Sequence, residues 1–314
     1  MKIWNQRALI LFVAALMWVA GVYGEPATPK GKTFATPEAA VDAFIAALRD
    51  YHLETLKAIF GPDADRLFVS EDPVADGNQR KQFLDLYDQS HALNASDEAS
   101  RTLVVGKDPW PLPMPLVKTA HGWAFDTVEG IEQIIDRRVG RNELSAIQTC
   151  LAVGDAEREY YWRDRDGDGI LEYAQKFRST PGLEDGLFWP VEDGEPLSPI
   201  GEFVAAAAAE GYGPADNTYH GYQYKLLTSQ GAAAPGGAYD YVVRGNEVGG
   251  FAVVAYPAAY GDSGVMTFML SHAGVVYQKD LGEATEEAVR NMTAFNPEGW
   301  TKVDQKDLET IPDA

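Results

Sequence analysis

Residues 144–169 read LSAIQTCLAVGDAEREYYWRDRDGDG, and two different patterns meet in this stretch. A series of residues follows one another at steps of three and four, a spacing that predicts a helix with one buried face: Leu144, Ile147, Leu151, Gly154, Arg158 and Tyr161. The helix leads directly into a loop of alternating aspartates at residues 164–169. Beyond the loop, apolar residues recur every second position, which indicates strands. The stretch therefore predicts an α+β protein in which a central helix precedes a sheet.

The aspartate loop has the composition of a calcium site. Asp164, Asp166 and Asp168 occupy positions one, three and five of a helix-loop-helix calcium loop, and Glu172 occupies position nine. Position twelve is Gln175, where a bidentate glutamate is expected. We predict a calcium site formed by these three aspartates and Glu172, with a weak affinity on the order of 10⁻⁴ to 10⁻³ M. An Asp/Gly turn that holds no ion is the alternative.

The part of the chain after the loop predicts an antiparallel meander. Short runs of alternating or continuous apolar residues are separated by turns rich in glycine. The predicted strands cover residues 222–226, 239–243, 251–256, 265–270 and 275–278. An Ala-rich helix is expected over residues 203–209, and another over residues 285–295.

The part before the central helix predicts helices followed by a hairpin. Thr36, Pro37 and Glu38 have the pattern of a helix start, and two shorter helical patterns follow. Strands are expected over residues 102–105 and 115–125. This order resembles that of nuclear-transport-factor-2-like and cystatin-like domains. In the central segment, Gly140 is expected to separate two helices.

The N-terminus has the features of a cleavable export signal. Lys2 and Arg7 provide a basic start, residues 8–22 are apolar, and small residues at Val22 and Gly24 suit a signal peptidase. The apolar run is shorter than the roughly 20 residues that span a bilayer. We therefore expect a periplasmic or secreted protein that begins near Glu25 and has no stable membrane anchor.

Charge and cysteine content limit the classes of partner. The net charge is −21, and loss of Lys2 and Arg7 with the signal makes it −23. Such a surface repels nucleic acid and anionic lipids, so an envelope protein or a small ligand is the expected partner. Cys150 is the only cysteine, which excludes an intramolecular disulfide.

These patterns divide the chain into six segments. We predict a signal peptide (1–24), a linker (25–33), an N-terminal α+β domain (34–128), connecting spine helices (129–163), a domain with the Asp loop and antiparallel sheet (164–301), and an acidic tail (302–314).

Evidence for catalysis is weak in the sequence. The residues around Ser263 resemble the nucleophile phrase of chymotrypsin-like proteases, but the long helical stretch lies where that fold needs strands. Histidines at zinc-ligand spacing do not occur. We therefore expect a binding or structural module that is not an enzyme. The alternative is a periplasmic hydrolase with a site near His220, Ser263 and His272.

Several sequence phrases together resemble one family of bacterial exported proteins, the domain-of-unknown-function 2950 family. They are IQTCL at 147–151, EREY at 157–160, EYA at 172–174, FRSTPG at 177–182, DGLFWP at 185–190, GGAYDY at 236–241 and GVMTF at 264–268. The resemblance implies a location in a Gram-negative-type envelope and no established activity. Separately, the order of spine helix, Asp loop and antiparallel sheet is similar to that of the globular domain of type II secretion pseudopilins.

Overall fold

A computed structural model describes residues 30–304 except 193, 214, 215 and 217. The predicted signal peptide, residues 25–29 of the predicted linker and residues 305–314 of the predicted tail lie outside the described residues. The fold is α+β, as predicted.

Helices form the first part of the chain. They are α1 (Pro37–Arg49), α2 (Leu53–Phe60), α3 (Asp65–Phe68) and α4 (Pro73–Gln89). The predicted start of α1 is confirmed, because the Thr36 hydroxyl accepts a hydrogen bond from the Ala39 amide at 3.1 Å and Pro37 begins the helix. This is a standard N-cap, which satisfies one of the amides that lack a partner inside the helix.

A five-stranded antiparallel sheet follows. Its strands are β1 (His91–Ala95), β2 (Ser100–Val105), β3 (Trp110–Pro111), β4 (Leu116–Thr119) and β5 (Gly122–Phe125). The order is β1-β2-β4-β5, and β3 also pairs with β2. The hairpin β4–β5 turns at Ala120 and His121. Strand β1 has the sequence HALNA, which lacks the β-branched and aromatic residues that favour strands.

The first hydrophobic core lies between these helices and the sheet. Phe44 of α1, Phe60 of α2 and Phe125 of β5 are all buried and in mutual contact, with ring centroids 4.6–5.9 Å apart. Buried aromatic rings contribute much of the apolar area of a small core. These contacts fix α1 and α2 against β5.

A single long helix, α5 (Val128–Tyr161), connects the two halves. The break predicted at Gly140 does not occur, and the helix is continuous for 34 residues, about 50 Å. Ile131 and Ile135 pack in the first core, whereas Ile147 and Val153 pack in the second. Tertiary packing at both ends thus outweighs the weak helix propensity of one internal glycine.

The second half contains two helices and ten strands within the described residues. They are α6 (Gly201–Glu210), β6 (Tyr222–Leu227), β7 (Ser229–Gln230), β8 (Tyr239–Asp240), β9 (Val242–Val243), β10 (Asn246–Glu247), β11 (Ala252–Pro257), β12 (Met266–Ser271), β13 (Val276–Asp280), α7 (Thr285–Arg290), β14 (Ala294–Phe295) and β15 (Thr301–Lys302). The main sheet has the order β15-β13-β12-β11-β6 and is antiparallel throughout, which confirms the predicted meander.

Strand β11 lies at the centre of this half and is covered on both faces. Val253 and Ala255 face the core shared with α5, while Ala252 and Val254 face a further core that includes Val289 of α7. Side chains alternate between the faces of a strand, so both faces must be apolar when both are buried. This explains the continuous apolar run that the sequence shows there.

Two predicted elements differ in extent. The strand expected over residues 239–243 is divided into β8 and β9, which pair with different partners. The helix expected over residues 285–295 ends at Arg290, and Phe295 belongs to β14, which pairs in parallel with β7.

Candidate metal centre

The aspartate loop begins directly after α5. The unpaired carbonyl groups at the carboxyl end of a helix carry partial negative charge, which adds to that of the loop carboxylates. Arg165 is the one cation inside the loop segment 164–169, and its side chain turns away. It is 9% exposed, pairs with Glu184 at 3.1 Å and stacks between the rings of Tyr160 and Trp189. The positive charge therefore does not neutralise the aspartates.

Backbone amides of the loop hold the aspartate side chains in place. Asp164 accepts hydrogen bonds from the amides of Gly167 at 2.8 Å and Gly169 at 3.0 Å. Asp166 accepts one from the Asp168 amide at 3.2 Å. Gly167 and Gly169 have φ values of 79° and 84°, which favour glycine and turn the chain around the carboxylates.

Three of the four predicted ligands come together. Oxygen atoms of Asp164, Asp166 and Asp168 lie within 4.8 Å of one another, and Asp166 and Asp168 are exposed. The amides of Gly167 and Gly169 lower the pKa of Asp164. A carboxylate oxygen that accepts a hydrogen bond from an amide still has a lone pair available for a cation. The donor set therefore fits a hard divalent cation, which prefers oxygen ligands.

Glu172, the fourth predicted ligand, is directed toward the hairpin β9–β10. Its Oε2 accepts a hydrogen bond from the Glu247 amide at 3.2 Å. Burial raises the pKa of Glu172, and the negative charges of Asp166, Asp168 and Asp164 raise it further. Glu172 therefore adjoins the aspartate cluster electrostatically but is not one of the residues whose oxygens converge.

The same hairpin fixes the loop from outside, which the sequence did not predict. The side-chain amide of Asn246 donates from Nδ2 to Asp168 Oδ2 at 2.8 Å. Gln175, at the position where a helix-loop-helix site has its bidentate glutamate, instead donates to the Gly245 carbonyl at 2.6 Å. Because these partners are 70 and 78 positions apart, no local spacing in the sequence could indicate them.

Two buried carboxyl groups lie behind the loop. Glu157 of α5 is fully buried, and its Oε2 accepts a hydrogen bond from the Ala174 amide at 2.9 Å. Within the described part of the chain its Oε1 has no hydrogen-bond partner. Burial raises the pKa of Glu157 well above its ordinary value and that of Glu247 to about 8. Burial therefore favours the protonated form of both groups.

The residues of the alternative hydrolase site do not form a catalytic arrangement. Ser263 is 1% exposed, and its hydroxyl bonds to the amide and the carbonyl of Ala259. The His220 imidazole bonds instead to Glu210 at 2.7 Å. His272 follows β12, whereas Ser263 precedes it, so about 20 Å of strand separates them. A nucleophile needs a base within hydrogen-bond reach, and these side chains lack that relationship.

Cys150 also lacks the features of a reactive residue. It is completely buried in α5, and burial raises the pKa of its thiol to about 12. Because the thiolate is the reactive form, this cysteine is a small apolar part of the second core.

Comparisons with known proteins place the chain in one family. No helix among the described residues has the length and apolar character needed to cross a membrane. No curated protein and no solved structure matches the chain. A family model does match, over residues 31–303, and it is described as protein of unknown function (DUF2950). The match confirms the resemblance carried by the sequence phrases between residues 147 and 268. The chain therefore belongs to the DUF2950 family.

Proposed function

We propose that this protein is exported to the bacterial envelope and acts there as a non-enzymatic binding module that takes calcium in its aspartate loop. The convergence of Asp164, Asp166 and Asp168 within 4.8 Å carries the proposal. Three like charges at this distance repel one another, and a divalent cation between them converts the repulsion into attraction.

The surroundings of the loop support calcium in particular. Calcium accepts six to eight oxygen ligands in flexible geometry, so waters and backbone carbonyls can complete an exposed cluster of carboxylates. Magnesium demands a tighter octahedron and gives up its water reluctantly. Glu172 occupies position nine, which often contacts calcium through a water. Its orientation toward the hairpin suits such an indirect role.

Export and the absence of catalysis are proposed on separate grounds. The basic start, the apolar residues 8–22 and the small residues at Val22 and Gly24 support a cleaved signal peptide. The Ser263 hydroxyl is bonded to the Ala259 backbone and the His220 imidazole to Glu210, and this supports binding over hydrolysis. Mass spectrometry of the protein from a periplasmic fraction should give an N-terminus near Glu25. An intact Met1 in a membrane fraction would contradict the export proposal.

Thermal unfolding with and without calcium tests the site. A ligand that binds only the folded form stabilises it by about 1.4 kcal/mol at ten times its Kd. For a chain of this size that corresponds to a rise in Tm of roughly 2–3 °C. The rise should develop as free calcium passes through millimolar concentrations, and magnesium should produce less.

Two variants make the test specific. Asp166→Ala should abolish most of the calcium-dependent rise and leave the calcium-free protein unchanged or slightly more stable, because one of the crowded charges is gone. Asp136→Ala removes an exposed aspartate from α5, outside the loop, and should retain the full rise. Identical melting curves of the unmutated protein in chelator and in calcium would show that the loop is only a turn.

A further inference from the structure

A cavity of about 390 Å³ opens in the N-terminal half, far along α5 from the aspartate loop. It lies between α4 and the first part of α5, and α1, α3 and the segment around β3 close it. Its wall is mostly apolar and includes Phe44, Phe68, Phe83 and Trp110. Cavities of about 300–1,000 Å³ with apolar walls and a few polar groups are the usual form of small-molecule sites.

Three arginines give this cavity a positive rim. Arg80 of α4 lies over the Tyr51 ring at 4.0 Å, and Arg137 of α5 lies over the Trp110 ring at 5.6 Å. Arg141, one helical turn beyond Arg137, also lines the cavity. Among the described side chains, no carboxylate forms an ion pair with any of the three.

These arginines should lower the stability of the protein when no ligand is bound. Arg137 and Arg141 are four residues apart on one helix face, where like charges destabilise a helix. Although Arg141 is exposed, the protein around its head group lowers its pKa, as do the charges of Arg138 and Arg137. In a chain with a net charge of −21, acidic partners for arginine are abundant elsewhere, so three unpaired guanidinium groups around one cavity require an explanation.

The one acidic residue of the wall does not neutralise the rim. Asp76 accepts hydrogen bonds from the amide of Ser70 at 2.7 Å and from its hydroxyl at 2.8 Å. Both carboxylate oxygens of Asp76 thus bond to Ser70, and among the described side chains Asp76 forms no ion pair with Arg80, Arg137 or Arg141. The rim retains its positive charge next to an apolar wall.

We propose that this cavity binds an amphipathic monocarboxylate, with its apolar tail against the aromatic wall and its carboxylate at Arg137 and Arg141. Guanidinium groups match carboxylates with two parallel hydrogen bonds. If one heavy atom needs the roughly 30 Å³ of a water molecule, the cavity holds about 13 heavy atoms. That is the size of a saturated fatty acid with about ten to twelve carbons.

Isothermal titration calorimetry on the mature chain tests the proposal, with decanoate as the probe. Saturable one-to-one binding is expected. Decanol has the same tail without the charge, decyltrimethylammonium reverses the charge, and acetate lacks the tail, so all three should bind much more weakly. Along a series of fatty acids, affinity should rise to about ten to twelve carbons and then stop rising, because the cavity is filled. Decanol binding as tightly as decanoate, or no saturable binding of decanoate, would overturn the proposal.

A charge variant and a matched control identify the site. The double variant Arg137→Gln/Arg141→Gln changes exposed side chains without ion pairs, so the fold should be retained. It should weaken decanoate binding about tenfold or more, since charge-assisted hydrogen bonds to the carboxylate are lost. Arg178→Gln removes an exposed arginine that lies over the Phe188 ring at 5.0 Å in the other half of the protein, and it should leave binding unchanged. Equal loss in both variants would mean non-specific attraction and would contradict the assignment.

Calcium and chelator should not affect this binding, which separates it from the aspartate-loop proposal.

Discussion

Asp72 accepts a hydrogen bond from the Tyr212 hydroxyl at 2.8 Å, and this contact joins the two halves of the protein. The same carboxylate oxygen accepts a second hydrogen bond from the Gly221 amide at 2.8 Å. The other oxygen caps α4 through the Ala75 amide at 2.9 Å. One buried side chain thus fixes a helix of the first half and the segment that leads into the main sheet of the second.

Asp72→Ala should lower the free energy of unfolding by about 2–4 kcal/mol, because it removes the cap of α4 and leaves buried donors without an acceptor. Asp72→Asn should lower the free energy of unfolding almost as much. The NH2 group of the asparagine side chain would face backbone or hydroxyl donors, with which it cannot form hydrogen bonds. Tyr212→Phe removes only one donor and should cost less, about 1 kcal/mol. Urea unfolding of the three variants gives these values. A fully stable Asp72→Asn variant would contradict this assignment of the hydrogen bonds.

Glu143 supports the start of β12 from α5 in a similar manner. Its Oε1 accepts hydrogen bonds from the Val265 amide at 3.0 Å and the Met266 amide at 2.9 Å. Glu143→Ala should cost about 2–4 kcal/mol, because two partly buried amides lose their acceptor. Glu143→Gln retains an oxygen that can accept both bonds and should cost about 1 kcal/mol or less. Chemical denaturation distinguishes the two, and equal losses would show that the charge of Glu143, rather than its oxygen, is what matters.

The sequence was informative wherever a local pattern determines the structure. The cap at Thr36, the apolar face of α5, the aspartate loop that follows it and the strands of the main sheet around β11 were all predictable, because each depends on residues close together in the chain. Strand β1 was not, since HALNA pairs with β2 without strand-forming residues of its own. The break expected at Gly140 was wrong, because packing in two cores keeps α5 continuous.

The candidate sites show the same limit. The aspartates that converge are neighbours in sequence, and their spacing indicated a cation loop. Asn246, which fixes Asp168 from the hairpin, comes from a distant part of the chain. The cavity combines α1, α3, α4 and α5, and its arginines belong to helices whose relative placement no single sequence discloses. Contacts of this kind depend on tertiary structure and leave no periodic signal.

The buried carboxyl of Glu247 should make stability depend on pH. Burial and the nearby charge of Glu172 raise its pKa to about 8 in the folded protein, from an ordinary value of 4.5. Between these values the unfolded chain has released this proton while the folded chain retains it, so this group's contribution to stability falls as pH rises from about 4.5 to about 8. Below that range both states are protonated and the contribution is fully present.

Glu247→Gln should remove this dependence, since the amide has nearly the same shape and does not ionise. The variant should be more stable than the unmutated protein at pH 8 by a few kcal/mol, given about 1.4 kcal/mol per pKa unit. At pH 4.5 the difference should be much smaller. Urea unfolding in chelator across this range measures the effect without interference from the aspartate loop. Glu159→Gln, on an exposed part of α5, serves as the control and should leave the pH profile unchanged. Parallel profiles for Glu247→Gln and the unmutated protein would show that Glu247 ionises alike in the folded and unfolded states, and that the fold does not hold its proton.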